Sequence, residues 1–292
     1  MKKIARIVVN GWPYTNPVNA EGNLYRCLLS LTEEIQFLTT PGGFVFISFP
    51  TKWEGASGWS SKPEDFEVLT QLAALYVKQI ISPRIVEAAR NKVKYLTLSL
   101  DLRSSNTPLH AELIALIDLA SGNILNWTGK SYPTMDQEKS LIHITNLKSH
   151  LTEVDGEKLL ILGCHDLNIY NNRARTNQKV GGSRHQRCQA MLKLFDTFQP
   201  TIILQHPHAT DTWKTWIQGW KEVSRRYPQA AWASAIAYAS PFKAREPLID
   251  VLSKTHHEEK LAYNIIMPGR ANPVGIQKTV MPRIANSAPI IA

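Results

Sequence analysis

Short apolar runs alternate along the chain with stretches whose apolar residues recur at helical spacing. Residues 4–10 are β-branched and apolar, bounded by Gly11 and Pro13, and predict a buried strand. Residues 23–38 place Leu24, Leu28, Leu31 and Ile35 at helical spacing and predict a helix. After Gly42-Gly43, residues 44–49 predict a second buried strand ending at Pro50, followed by a Gly-, Ser- and Trp-rich loop over 52–62. Helices are expected over 63–78 and 83–91. Glu64 and Asp65 open the first of them, where acidic groups suit the helix dipole. A strand at 95–100 follows.

The centre of the chain reads as a hairpin: 110–119 outward, Ser121-Gly122 at the turn, 123–128 in return. Residues 158–163 form a short apolar strand running into Cys164-His165-Asp166. A helix over 184–198 and a strand over 201–204 follow, the strand running into Gln205-His206-Pro207-His208. Thr210 or Asp211 can cap a helix running to about residue 227. Residues 230–239 predict a last small-residue strand. Alternating strands and helices imply an α/β protein with layered sheets. The domain expectation is one unit over 1–240 and an irregular, Pro- and Asn-rich extension over 241–292 that could serve as an interface.

Composition narrows the function classes. Of 292 residues, 43% are hydrophobic and 20% charged, a globular balance that argues against disorder. No apolar run approaches the ~18–20 residues that span a bilayer, and Arg6 interrupts the first apolar stretch as a signal-peptide core, so no membrane partner is expected. Three cysteines, Cys27, Cys164 and Cys188, provide neither a disulfide scaffold nor a Cys-only zinc site, and a reduced, cytoplasmic protein is expected. The net charge of +9 is spread over short groups without aromatic interleaving, which argues against a nucleic-acid partner.

Reactive side chains gather at three places. Cys164-His165-Asp166 closes a buried strand, and strand carboxyl ends are where α/β folds build sites. A cysteine there is a nucleophile if a neighbour lowers its pKa, and otherwise a buried small hydrophobe. His206-Pro207-His208 with Asp211 could join His165 and Asp166 around a divalent metal, or remain hydrogen-bonded loop histidines. Lys130, just past the hairpin, is on its own a loop lysine.

The order of these pieces resembles the nitrilase, or carbon–nitrogen hydrolase, superfamily. Leu160-Ile161-Leu162-Gly163-Cys164-His165-Asp166 is similar to that family's apolar-apolar-Cys-Tyr-Asp pattern, with His165 in place of the aromatic. Lys130 follows a Gly-bearing hairpin, as the family lysine does, thirty-four positions before Cys164 (130 to 164). The resemblance implies a four-layer α-β-β-α sandwich in a single domain and a Glu–Lys–Cys triad. The family glutamate follows a proline at a strand end. Phe49-Pro50 and Gly58-Trp59 look like the flanks of that motif, but Thr51 stands where the glutamate belongs and Glu54 is the best substitute.

By that resemblance Cys164 attacks an amide or nitrile carbon, Glu54 takes the thiol proton, and Lys130 with the His165 N–H holds the oxyanion. His165, Asp166, His206, His208, Trp59 and Arg173 are the substrate-facing candidates, with no metal or organic cofactor and a homo-oligomeric assembly. Two other readings stay open. Gly163-Cys164-His165-Asp166 faintly resembles the Gly-Asn-His-Asp box of metallophosphoesterases, which would make the chain a metal-dependent hydrolase. The missing Pro-Glu pair would suit a nitrilase-like scaffold that binds without catalysing. The Trp213, Trp216, Trp220 series lies on one helix face and is expected to be a core or oligomer contact.

Overall fold

The computed structural model describes residues 4–12, 14–49, 63–105, 107–135, 137–171, 180–210, 213–214, 216–238, 246–257 and 261–269. The loop expected over 52–62, with Glu54 and Trp59, lies outside the described residues, as do Arg173 and Asp211.

Two sheets carry the architecture. In the larger, β1 (Ile4–Asn10) pairs in parallel with β2 (Ile35–Thr39) over its start, with β11 (Ile236–Ala237) at its end and with β12 (Leu261–Pro268) along its length. Beyond β2 lie β4 (Val93–Ser104), β5 (His110–Asp118) and β6 (Asn123–Gly129), the last two antiparallel as the hairpin predicted. β3 (Val45–Phe49) pairs with the far half of β4, so β2 and β3 follow one another along that strand with a break at residues 40–44. The smaller sheet runs β10 (Ala231–Ser234), β9 (Ile202–Gln205), β8 (Glu157–Leu162), β7 (Leu151–Val154).

Strand periodicity explains the layering, because alternate side chains point to opposite faces. In β8, Leu159 and Ile161 join Phe37, Ile114, Leu116 and Ile202 in a core between the two sheets. Leu160 and Leu162 turn the other way, onto α4 (Ser183–Phe198) and α5 (Ile217–Arg226) through Met191, Phe195 and Trp220. On the outer face of the large sheet, Ile7, Val9 and Leu98 meet α1 (Pro17–Ser30), α2 (Pro63–Ile80) and α3 (Pro83–Ala89) through Leu24, Leu28, Ala73, Val77 and Ile85. The result is helices, sheet, sheet, helices. Trp216 and Trp220 are buried in this packing, and Trp220 stacks on Trp232 with ring centroids 4.2 Å apart.

Three expectations are corrected. Residues 23–38 are not one helix: α1 ends at Ser30, and Ile35–Thr39 is strand β2. The helical spacing of Leu31 and Ile35 is accidental, since both are buried from different elements. The expected strand over 230–239 is two strands, β10 in the smaller sheet and β11 in the larger. The tail is not irregular throughout: α6 (Leu248–Lys254) and β12 return to the large sheet. Arg6, fully buried in β1, holds them there, donating to Asn264 Oδ1 and to the carbonyls of Leu252, Thr255 and Ser234.

Candidate active site

β8 and β9 are parallel neighbours in register from Leu159–Ile202 to Leu162–Gln205, so the segments that leave them emerge side by side. From β8 comes Cys164, opening a 3-10 turn (Cys164–Tyr170); from β9 comes His206-Pro207-His208. The His208 backbone N–H donates to Cys164 Sγ at 3.3 Å. Gln205 fixes the backbone of the turn, its Nε2 donating to the Cys164 carbonyl at 2.8 Å while its Oε1 accepts from Ser234.

Asp166 ties the cysteine turn to the lysine segment. Its carboxylate, fully buried, accepts from the backbone N–H groups of Gly163 (2.8 Å), Ser131 (3.0 Å) and Tyr132 (2.7 Å). Gly163 permits the close approach: a Cβ there would stand 2.8 Å from the Cα of Lys130. This is why glycine precedes the cysteine.

Lys130 is 1% exposed, and its Nζ donates to Glu112 Oε1 at 2.9 Å and to Gln137 Oε1. Glu112 lies on β5 directly opposite Asp101 on β4. Like charges facing each other across strands repel, and both of these are buried. Two cations offset them. Lys130 meets Glu112, and His208 sits between the pair. Its Nε2 is 2.8 and 2.9 Å from the two Asp101 oxygens and its Nδ1 is 3.5 Å from Glu112 Oε2. Arg103, at 4.0 Å, is a more distant partner for Asp101.

The break between β2 and β3 makes room for that imidazole. Pro41-Gly42-Gly43 passes under His208, with the Gly42 N–H donating to the Pro207 carbonyl at 3.0 Å. A Cβ at Gly42 would stand 2.5 Å from the His206 carbonyl oxygen and 2.8 Å from His208 Nδ1. Gly43 has φ +57° and abuts both Asp101 and His208.

The electrostatics follow from this packing. Burial alone would raise the Cys164 pKa, but the neighbouring His165 and His208 side chains outweigh it and bring it down to about 5. Burial opposes charge on His208, yet Asp101 and Glu112 prevail and hold its pKa well above the ordinary value. Lys130 is likewise raised, Glu112 and Cys164 overcoming its desolvation. Glu112 is lowered against its own burial by His208 and Lys130. By contrast, Cys27 has only burial acting on it and is pushed up to about 12.

Of the residues singled out from the sequence, Cys164, Lys130 and His208 gather here. His165 follows Cys164, with its ring 5.7 Å from Trp216 and its Nδ1 buried without a hydrogen-bond partner among the described residues. Asp166 is wholly engaged by backbone N–H groups. His206 is sealed from solvent, its Nε2 3.5 Å from Thr39 Oγ1, and burial lowers its pKa to about 3. Glu54, Trp59 and Arg173 lie outside the described residues. Sequence reasoning missed Asp101 and Glu112. The available signal was a single acid inside each of two apolar runs, Leu100-Asp101-Leu102 and Ala111-Glu112-Leu113, since carboxylates are almost never fully buried unless paired. Among the described residues no three His, Cys, Asp or Glu side chains are arranged to hold a metal ion, and no helix is long and apolar enough to cross a membrane.

No protein-family model matches the chain, and no curated protein matches it. Solved structures do. A mutant of the Nesterenkonia AN1 amidase from the nitrilase superfamily superposes with a TM-score of 0.50 at 14% identity, over 80% of this chain and 75% of that one. A mutant of the amidase from Nesterenkonia sp. AN1 in complex with butyramide gives a TM-score of 0.50 at 15% identity, over 80% and 76%. The likeness is one of architecture, and the chain is built on the fold of a nitrilase-superfamily amidase.

Proposed function

We propose that this chain is a cysteine-dependent hydrolase that cleaves a carbon–nitrogen bond in a small-molecule amide through a thioester on Cys164. One observation carries the reading: Cys164 ends a buried strand with the His208 N–H on its sulfur and the Lys130 segment packed against Gly163. The cysteine is therefore a fixed, electrostatically activated thiol, unlike Cys27, which is only buried among apolar side chains.

In this reading the Cys164 sulfur adds to the amide carbonyl carbon. Lys130 and the His165 backbone N–H, at the start of the 3-10 turn, stabilise the oxyanion, where losing one donor typically costs about 10²–10³ in rate. The carbon–nitrogen bond breaks, the amine leaves, and water hydrolyses the thioester to a carboxylate. The fold shared with an amidase crystallised with butyramide supports short aliphatic amides as the first substrates to try. Ammonia release from a panel of such amides tests the reading. Turnover that Cys164→Ala abolishes is expected. Absence of turnover above the Cys164→Ala background across amides and nitriles would overturn it.

A further inference from the structure

A thiol that attacks a carbonyl needs a base, and the polar groups around Cys164 supply a candidate the family pattern does not contain. That pattern puts a glutamate directly after a proline at a strand end. The strand end beneath the site is that of β2, where Pro41 is followed by Gly42, and a side chain at position 42 would collide with the His206 carbonyl and the His208 ring. The imidazole thus fills the space such a side chain would enter. Its Nε2 faces Asp101 and its Nδ1 lies 3.5 Å from Glu112, while its side chain hydrogen-bonds Cys164 and its backbone N–H contacts the same sulfur.

We propose that His208, oriented by Asp101 and Glu112, takes the Cys164 thiol proton and delivers it to the leaving nitrogen. This deepens the hydrolase reading and rests on it. In the resting site the proton resides on His208 and the sulfur is a thiolate. As the carbon–sulfur bond forms and the carbon–nitrogen bond breaks, the Nδ1 proton passes to the nitrogen, which leaves as the amine. Water then gives a proton back to Nδ1 while its oxygen adds to the thioester carbon. The carbon–sulfur bond breaks to release the acid and restore the thiolate–imidazolium pair. No other reactant is needed. The arrangement is a cysteine–histidine–carboxylate unit of the kind that recurs on unrelated folds.

Charge balance supports the protonated ring. Asp101 and Glu112 are buried and opposite each other, and of these two carboxylates it is Glu112 that Lys130 engages. A neutral His208 would leave Asp101 with Arg103 at 4.0 Å as its nearest cation among the described residues. The other titratable groups packed around the ring are His206, held neutral by burial, His110, 3.8 Å from Glu112 and also lowered, and Cys164 itself.

The test reads the thiol rather than turnover. Peptide-resolved iodoacetamide labelling of the full chain across pH should show Cys164 reacting with a midpoint near 5. In His208→Gln the midpoint should rise by about 2 pH units or more, with labelling at pH 6 about 10-fold slower. Asp101→Asn should move it part of the way. His165→Gln, which removes the other nearby ring, should also raise the midpoint, but without the partial shift that Asp101→Asn shares with His208→Gln. A His208→Gln profile that overlays the wild type overturns the proposal, and so does an Asp101→Asn profile that does not move. If the profile shifts as expected but no amide is hydrolysed, the function reading falls and the ion pair stands. If Cys164-dependent hydrolysis persists with an unshifted His208→Gln profile, the pair falls and the hydrolase stands.

Discussion

His208 Nε2 stands 2.8 Å from Asp101 Oδ1, a bond joining the loop after β9 in the smaller sheet to the middle of β4 in the larger. The contact spans 107 positions of sequence and forms only when the two sheets pack face to face. In the proposed reading Cys164 is therefore activated by tertiary packing rather than by its sequence neighbours alone.

Gly42→Ala should lower stability by about 1–3 kcal/mol, the usual cost of overpacking a tight site. It should also slow Cys164 labelling, because the added methyl group displaces His208. Gly22→Ala in α1 is the matched control: a Cβ there meets nothing within 4 Å, and the change should stabilise by about 0.5–1 kcal/mol. Thermal melts of both variants check the pair.

Lys130→Met leaves Glu112 buried beside Asp101 with one cation fewer. Removing one partner of a buried ion pair costs about 3–5 kcal/mol. Adding Glu112→Gln to Lys130→Met should recover part of the loss, so urea titrations of the double-mutant cycle should give a favourable coupling energy for the pair. Strict additivity would show that Lys130 and Glu112 do not interact.

Asp166→Asn keeps the side-chain shape but turns one of its oxygens into a donor facing backbone N–H groups. The carboxylate accepts three such bonds, and losing hydrogen bonds to a charged group costs about 1.5–3 kcal/mol. The variant should unfold at lower urea and label more slowly at Cys164, although Asp166 touches neither the sulfur nor His208.

Stability should fall as pH drops from 6.5 towards 4. His143, His206 and His256 are held neutral, lowered by burial to about 4, 3 and 3. In that window the unfolded chain takes up protons that the folded chain refuses, so acid favours unfolding. His208 acts in the opposite sense: its raised pKa adds stability that is fully present below 6.5 and fades only as pH climbs through its folded value. Below pH 6.5 its contribution no longer changes, so the three refusing histidines set the slope there. Urea midpoints at pH 7, 6, 5 and 4 should decline steadily, and His143→Gln should flatten the slope.

The sequence showed the parts of the fold whose periodicity is local. β1, α2, α3, the central hairpin, β8 and β9 each declare themselves in a window of four to eighteen residues. β2 was hidden because Leu24, Leu28, Leu31 and Ile35 continue a helical spacing across the end of α1, which the chain leaves at Ser30. β12 was hidden because its place depends on Arg6, 258 positions away. The site divided in the same way. Cys164 and Lys130 follow recognisable strands and were found. Asp101 and Glu112 looked like ordinary strand residues, since nothing local tells that they face each other and share a histidine. At Pro41-Gly42 the glycine matters for the side chain it does not carry, which no local pattern announces.

The most direct measurement is the mass of Cys164 during turnover. Enzyme quenched in acid while hydrolysing the best amide of the panel should carry the substrate's acyl group on the peptide containing Cys164. That adduct should be released by hydroxylamine and be absent from Cys164→Ala. Steady turnover with Cys164 unmodified, or with the acyl group on another residue, would contradict the account.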